Sequence, residues 1–211
     1  MAAHGITIKL EPCLLGKATA KCHAYRVYEN RSTRAGRQID LNIAVPAATD
    51  HVEPDPLFYF TGGPGGAATD VAAMLKADFV ELNKTRDIVL IDQRGAGGSN
   101  MLMCPKPDKP FDISDVGVSA YVTTCLTGLD ADPRWYTTRA YVDDVNEVRQ
   151  ALGYDKINIS GGSYGRDCGA DLPVAASRDG ARGPYQQQYT NRLSHLRASR
   201  RQQPTRPRSG V

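Results

Sequence analysis

The feature that most constrains this chain is a glycine-rich turn after each of three short apolar segments. TGGPGGAA (61–68) follows LFYF, QRGAGGS (93–99) follows DIVLID, and GGSYG (161–165) follows KINIS. Between them, residues 70–83 and 139–152 have apolar positions at helical spacing. Strands that alternate with helices form parallel sheets, which bind ligands at the carboxyl ends of their strands. The order therefore predicts an α/β fold with all three turns at one edge of the sheet.

Two further segments extend this prediction toward the N-terminus. Residues 22–30 and 37–45 alternate between polar and apolar side chains around the turn-rich stretch NRSTRAG, which is typical of a β-hairpin. Residues 104–136 show no clear pattern and are expected to be mostly loop. The later helix is expected to begin at Thr137 or Thr138. We therefore expect a hairpin, then parallel strands with flanking helices.

Composition narrows the class of protein. The 211 residues are 41% hydrophobic and include no apolar run near the roughly 20 residues that span a bilayer. The first residues, MAAHGITIKLEPC, lack the pattern of a signal peptide. Residues 166–211 carry nine Arg against three Asp. A basic tail can bind nucleic acid, but no aromatic residues or binding motif accompany the charge, so a solvated tail is favoured and no nucleic-acid partner is expected.

The third turn has the pattern that presents a catalytic serine. Gly161-Gly162-Ser163-Tyr164-Gly165 fits G-x-S-x-G directly after a strand. In that motif the serine lies on a sharp, strained turn, and side chains two positions away on either side would collide. The N–H of the next residue, Tyr164, would then face a developing oxyanion. Taken alone, five residues fit a plain glycine-rich connection equally well.

Together the three segments are more specific. FYFTGGPGG (58–66), DIVLIDQRGAGGS (87–99) and INISGGSYG (157–165) resemble, in order, the prolyl iminopeptidase and tripeptidyl aminopeptidase branch of the α/β-hydrolases. The resemblance implies the N-terminal half of that fold. It also implies a serine peptidase that releases amino-terminal residues or short peptides through an acyl-enzyme. The expected partner is a peptide with a free N-terminus, with no metal or organic cofactor and no membrane; an esterase on the same scaffold stays open.

The resemblance also implies roles for individual residues. Ser163 would be the nucleophile, and the N–H of Gly63 would join that of Tyr164 in the oxyanion hole. Asp92 and Arg94 would pair with each other to brace the cleft loops. The residues expected to shape the site are Gly62, Pro64, Gly65, Asp92, Arg94, Gly161 and Gly165. Family members often have His before GGPG where this chain has Thr61, which need not matter because the donor is a backbone group.

Four of the five cysteines form two pairs that are close in sequence, Cys13 with Cys22 and Cys104 with Cys125. These fit two disulfides in an exported protein or four free thiols equally well. The resemblance adds that exported tripeptidyl-aminopeptidase-type members carry similar cysteines. The compartment is left open, because no signal peptide is visible.

The resemblance ends after Gly165. We expect a partial α/β-hydrolase domain at 1–165 and an Arg-rich tail at 166–211, either disordered or frameshifted. Glycines and prolines after the serine are expected to prevent the helix that should follow it; they are Gly169, Pro173, Gly180, Gly183 and Pro184. Reading residues 170–192 one nucleotide later permits an apolar helix, a turn and an apolar strand, which suggests a frameshift just after codon 165.

The rest of a catalytic triad is also expected to be absent. Asp179 and His195 follow Ser163 in the family's order, but no predicted strand would place them. The activity of this chain is therefore in doubt, and an inactive fragment is the alternative.

Overall fold

The structure is a computed structural model that describes residues 8–50, 52–106, 112–170, Leu172 and strand 185–187. Within these residues the strands are β1 (Glu11–Leu15), β2 (Ala18–Tyr28), β3 (Gln38–Val45), β4 (Leu57–Phe60), β5 (Ile88–Ile91), β6 (Ile157–Gly161) and β7 (Tyr185–Gln187). The α-helices are α1 (Ala72–Asp78), α2 (Leu82–Thr85), α3 (Asp115–Gly128), α4 (Thr138–Ala151) and α5 (Tyr164–Ala170). Single 3₁₀ turns lie at Thr69–Val71 and Pro133–Trp135.

All of these strands belong to one mixed sheet in the order β1-β2-β3-β5-β4-β6-β7. β1, β2 and β3 are successive antiparallel strands, and β3 pairs antiparallel with β5. The strands β5, β4, β6 and β7 are parallel to their neighbours. The predicted α/β fold, a hairpin followed by parallel strands with flanking helices, is confirmed. The predicted hairpin is β2–β3, and the sequence analysis missed β1.

The parallel strands are buried on both faces of the sheet. All four residues of β5 are buried, and they alternate between two hydrophobic clusters. Val89 and Ile91 face α4, while Ile88 and Leu90 face α1. Buried parallel strands are near-continuous apolar runs, which is why LFYF and DIVLID stand out in the sequence.

Helix α4 begins where the sequence predicts. The Thr137 hydroxyl accepts a hydrogen bond from the Ala140 N–H at 3.2 Å, which caps the first turn. Its buried stripe includes Tyr141, whose hydroxyl donates to the Ile91 carbonyl at 3.0 Å. This helix is therefore fixed against the centre of the sheet.

One helical prediction was wrong, and one helix was missed. The helix predicted over 70–83 is shorter and divided into α1 and α2, because the buried amide of Asn83 donates to the Pro46 and Arg86 carbonyls and fixes α2 separately. The expected loop over 104–136 contains α3. Its apolar residues make no buried stripe, since Val116, Val118, Val122 and Leu126 are exposed, so their spacing gave no signal.

The structure contains two disulfides. Cys13–Cys22 joins β1 to β2, and Cys104–Cys125 joins the segment before α3 to α3 itself. Cys168 is buried and takes part in neither disulfide. Among the described residues, no helix has the length and apolarity needed to cross a membrane.

Candidate active site: a serine turn between two glycine-rich loops

Ser163 lies on the sharp turn between β6 and α5. Strand β6 ends at Gly161 and α5 begins at Tyr164, so two residues reverse the chain direction. The φ angle of Ser163 is +53°, a left-handed conformation that residues with a Cβ rarely adopt. The Ser163 carbonyl accepts from the Arg166 N–H at 3.0 Å, and its side chain is exposed. The turn therefore presents a hydroxyl to solvent on a strained backbone.

The glycines on either side of Ser163 have a steric cause. A Cβ on Gly165 would lie 2.1 Å from the Phe60 carbonyl oxygen. A Cβ on Gly161 would lie 2.8 Å from the backbone of Gly165. Strand β4 and the start of α5 therefore approach too closely for any side chain at these two positions.

The turn after β4 lies directly beside the serine. A Cβ on Gly62 would lie 3.3 Å from the Ser163 Cβ and 3.2 Å from the Gly162 carbonyl oxygen. Gly63 is exposed, has a φ of +128° that favours glycine, and is joined to Pro64 by a cis peptide bond. Gly65 also has a positive φ, of +97°. The structure thus brings the GGPG turn and the serine turn together at the carboxyl ends of adjacent strands.

Asp92 ties the turns after β4 and β5 together. Its fully buried carboxylate accepts from the Thr69 N–H at 2.9 Å, the Asn42 amide at 2.9 Å and the Gly98 N–H at 3.0 Å. It makes no bond with Arg94, so the predicted Asp92–Arg94 pair is wrong. The carboxylate faces backbone donors of the two turns.

Arg94 is instead paired with helix α4. Its buried guanidinium contacts both oxygens of Asp144, at 2.6 Å and 2.7 Å, and donates to the Glu29 and Trp135 carbonyls. Arg31 adds a second cation at 2.6 Å from Asp144. Burial raises the pKa of the Asp144 carboxyl, and the hydrogen bonds from Arg94 oppose that shift. The pair holds the turn after β5 against α4.

A helix follows the serine, contrary to expectation. Helix α5 spans Tyr164–Ala170 and includes Gly169, which was expected to prevent it. A Cβ on Gly169 would lie 2.7 Å from the Ile159 side chain, so close packing on β6 favours glycine there. Pro173, Gly180, Gly183 and Pro184 lie outside the described residues.

A family model described as alpha/beta hydrolase fold matches residues 55–165, which is more than half of the chain. The chain belongs to the alpha/beta hydrolase fold family. The matched region runs from just before β4 to the glycine that ends the serine motif. None of the curated proteins matches this chain.

Several solved structures have a similar fold. A proline iminopeptidase from Mycobacterium smegmatis is 21% identical with a TM-score of 0.43, over 72% of this chain and 39% of its own. A putative hydrolase from Agrobacterium vitis is 15% identical with a TM-score of 0.47, over 80% and 49%. A Vigna radiata epoxide hydrolase is 16% identical with a TM-score of 0.41, over 72% and 34%. The chain thus spans less than half of the length of each.

No partner base for this alpha/beta hydrolase serine lies among the described residues. The one histidine that the structure describes, His23, is on β2. In the sheet order β2-β3-β5-β4-β6 it is four strand spacings, about 19 Å, from the strand that leads to Ser163. His4, His51, Asp179 and His195 lie outside the described residues. The described residues also contain no cluster of His, Cys, Asp and Glu that could hold a metal.

One large cavity in the described part of this alpha/beta hydrolase chain is not at the serine. It has a volume of about 940 Å³ and lies between the hairpin and α4, with Tyr25, Arg31, Trp135, Arg139 and Glu147 among its lining residues. Neither Ser163 nor the GGPG turn lines it. The serine instead stands open to solvent.

Proposed function

We propose that this chain carries the nucleophile of a serine hydrolase of aminopeptidase type, which releases amino-terminal residues or short peptides through an acyl-enzyme. The observation that carries the proposal is the exposed Ser163 at a φ of +53°, between two glycines that have no room for a Cβ. Maintaining a strained turn requires surrounding structure that over-determines it. This turn uses its strain to present a hydroxyl.

The reaction begins with attack of the Ser163 Oγ on the carbonyl carbon of the scissile peptide bond. The serine proton passes to a base, and the N–H groups of Tyr164 and Gly63 donate hydrogen bonds to the oxyanion that forms. The protonated base then returns the proton to the leaving amine, and the acyl group stays on Ser163 as an ester. Water then gives a proton to the same base and attacks the ester carbonyl, and the base returns that proton to the Ser163 Oγ as the acid is released. The base and its aspartate come from outside the described residues.

The aminopeptidase assignment rests on the three turn motifs taken together. TGGPGG, DQRGAGGS and GGSYG lie at the ends of β4, β5 and β6, and their order along the chain is the one that the resemblance to that branch implies. The expected substrate is a peptide with a free N-terminus, and no cofactor takes part in any step. The compound that tests this assignment most directly is the same peptide with its N-terminal amine blocked.

A fluorophosphonate probe tests the nucleophile. We expect the full chain to be labelled at Ser163, located by mass spectrometry of the modified peptide. Ser163→Ala should abolish the label, and Ser119→Ala, an exposed serine on α3, should leave it intact. An unlabelled Ser163 across pH 6 to 9 would instead support an inactive fragment, which the lack of a described histidine near the serine favours.

A substrate panel tests the reaction class. Fluorogenic aminoacyl and tripeptidyl amides should be hydrolysed, and their N-acetylated counterparts should not. Hydrolysis of p-nitrophenyl esters without any cleavage of the amides would assign the chain as an esterase. Each activity should disappear in Ser163→Ala.

A further inference from the structure

The side chain of Tyr164 connects the serine turn to two other elements. Its hydroxyl shares a hydrogen bond with the Thr138 hydroxyl at 2.8 Å and accepts from the Gln93 amide at 3.4 Å. Thr138 is the first residue of α4, and Gln93 lies in the turn after β5. A single hydroxyl therefore joins all three segments that surround the site.

Thr138 is a rigid anchor. It lies in the first turn of α4, which Thr137 caps. One turn further on, Tyr141 bonds the Ile91 carbonyl and packs on Phe60 with ring centroids 5.8 Å apart. Asp144, another turn along, is bound by Arg94. A group attached to Thr138 is consequently fixed relative to the centre of the sheet.

The peptide between Ser163 and Tyr164 needs such an anchor. On one side it is confined by the glycine contacts with Phe60 and Gly62. On the other side Ser163 is exposed, and the helix that begins at Tyr164 is only seven residues long. A strained φ persists only where neighbouring contacts hold it. The bonds of the Tyr164 hydroxyl to Thr138 and Gln93 supply contacts in addition to those of the glycines.

The chemistry of this hydroxyl fits a fixed hydrogen-bonding role. A tyrosine phenol is protonated at neutral pH, so it can accept one bond and donate another. Burial raises the pKa of Tyr164 further, and the hydrogen bonds with Thr138 and Gln93 oppose that shift.

We infer that Thr138 and Gln93 are positioning residues, which hold the Tyr164 side chain and through it the oxyanion N–H of the same residue. The inference rests on the proposed function, since it concerns the N–H that would bind the oxyanion. Removing an oxyanion donor slows a serine hydrolase by about 10²- to 10³-fold, so displacing one should cost about tenfold.

The test measures the rate of fluorophosphonate labelling at Ser163 in the full chain. Thr138→Val, which keeps the shape and removes the hydroxyl, should label about tenfold more slowly. Thr138→Ser should restore the rate to within about twofold of wild type. Thr124→Val is the matched control, since the Thr124 hydroxyl bonds only its own helix at the Ala120 carbonyl, and its rate should not change.

A double-mutant cycle separates positioning from general destabilisation. If the Thr138–Tyr164 bond is responsible, Thr138→Val combined with Tyr164→Phe should label no more slowly than Tyr164→Phe alone. Independent slowing would multiply the two effects. Should Thr138→Val fail to fold by thermal melting, Gln93→Leu and Tyr164→Phe decide, each expected to slow labelling in a folded chain.

The outcomes also separate this inference from the proposed function. Wild-type labelling with an unchanged rate in Thr138→Val and Tyr164→Phe overturns the positioning role and leaves the nucleophile in place. Absence of wild-type labelling at Ser163 overturns both.

Discussion

At the residue scale, the shape of the site depends on glycines, because their lack of a side chain lets backbone segments approach each other closely. Gly165 lets α5 start against the end of β4, and Gly62 lets the turn after β4 reach the Ser163 Cβ. A Cβ on Gly165 would collide with backbone, which cannot move aside as a flexible side chain can, and a Cβ on Gly62 would make a tight contact at 3.2 Å. The serine turn therefore depends on these positions for its shape rather than for chemistry.

We predict that Gly165→Ala destabilises the chain by about 3 kcal/mol, near the upper end for overpacking, because the added Cβ would meet the Phe60 carbonyl. Urea unfolding measures this loss. Gly128→Ala is the matched control, since a Cβ at the end of α3 meets nothing within 4 Å and should change stability by less than about 1 kcal/mol. Equal midpoints for the two variants would contradict the observed packing of α5 on β4.

The sequence predicts which residues form the serine turn better than it predicts which residues contact each other. The G-x-S-x-G spacing follows from local sterics, so its residues could be named in advance. The partners of Asp92 and Arg94 could not, because they are set by elements distant in sequence, Asn42 for the first and Asp144 for the second. The family resemblance implied a pair between Asp92 and Arg94 that the tertiary structure does not make.

At the element scale, the Arg94–Asp144 contact links the turn after β5 to α4. Both side chains are fully buried, and the Arg94 guanidinium donates one hydrogen bond to each oxygen of the Asp144 carboxylate. Breaking a buried pair leaves an uncompensated charge, which costs far more than losing an exposed pair. This contact, rather than the predicted Asp92–Arg94 pair, braces the loops of the site.

We predict that Asp144→Asn destabilises the chain by about 3 to 5 kcal/mol, because the fully buried Arg94 would keep its charge without a carboxylate, whereas Arg31 would still pair with Glu147. Glu81→Gln, which breaks the exposed Lys84–Glu81 pair, should cost less than about 1 kcal/mol. Chemical denaturation of both variants compares the two costs. A loss below 1 kcal/mol in Asp144→Asn would show that the pair does not hold α4.

Elements were predictable where burial leaves a periodic pattern. Helix α4 has a buried stripe and a threonine cap, and the sequence predicts both its start and its end closely. Helix α3 has neither stripe nor buried face apart from Cys125, so periodicity could not reveal it. The short strand β1 at the edge of the sheet was missed for a similar reason, since its residues are largely exposed.

At the scale of the whole molecule, the fold was predictable and the complete catalytic constellation was not. Parallel strands that are covered on both faces are apolar runs, which are easy to recognise in the sequence. The turns that follow these strands lie together at one edge of the sheet. A triad, in contrast, depends on contacts between segments that are far apart in sequence. The serine turn that we propose carries the nucleophile is a local feature of this chain, and no histidine of the described residues lies beside it.

The whole molecule should also lose stability in acid. Three exposed ion pairs in different parts of the chain lower the pKa values of their carboxyl groups. The hydrogen bond from Arg134 lowers the pKa of Asp132 to about 2. Hydrogen bonds from Arg26 and Arg37 lower the pKa values of Asp40 and Asp130, respectively. A carboxyl with a depressed folded-state pKa stabilises the fold above its unfolded-state value. That contribution disappears as the pH falls through the folded-state pKa.

We therefore predict that the free energy of unfolding falls as the pH drops from about 4 to about 2, and that salt weakens this dependence because the pairs are exposed. Asp132→Asn should make the decline shallower, since it removes one titrating group while the asparagine oxygen can still accept from the Arg134 N–H. Urea unfolding of both proteins at several pH values measures the two slopes. Identical slopes would mean that the Asp132–Arg134 pair is not formed in solution, and that acid sensitivity has another source.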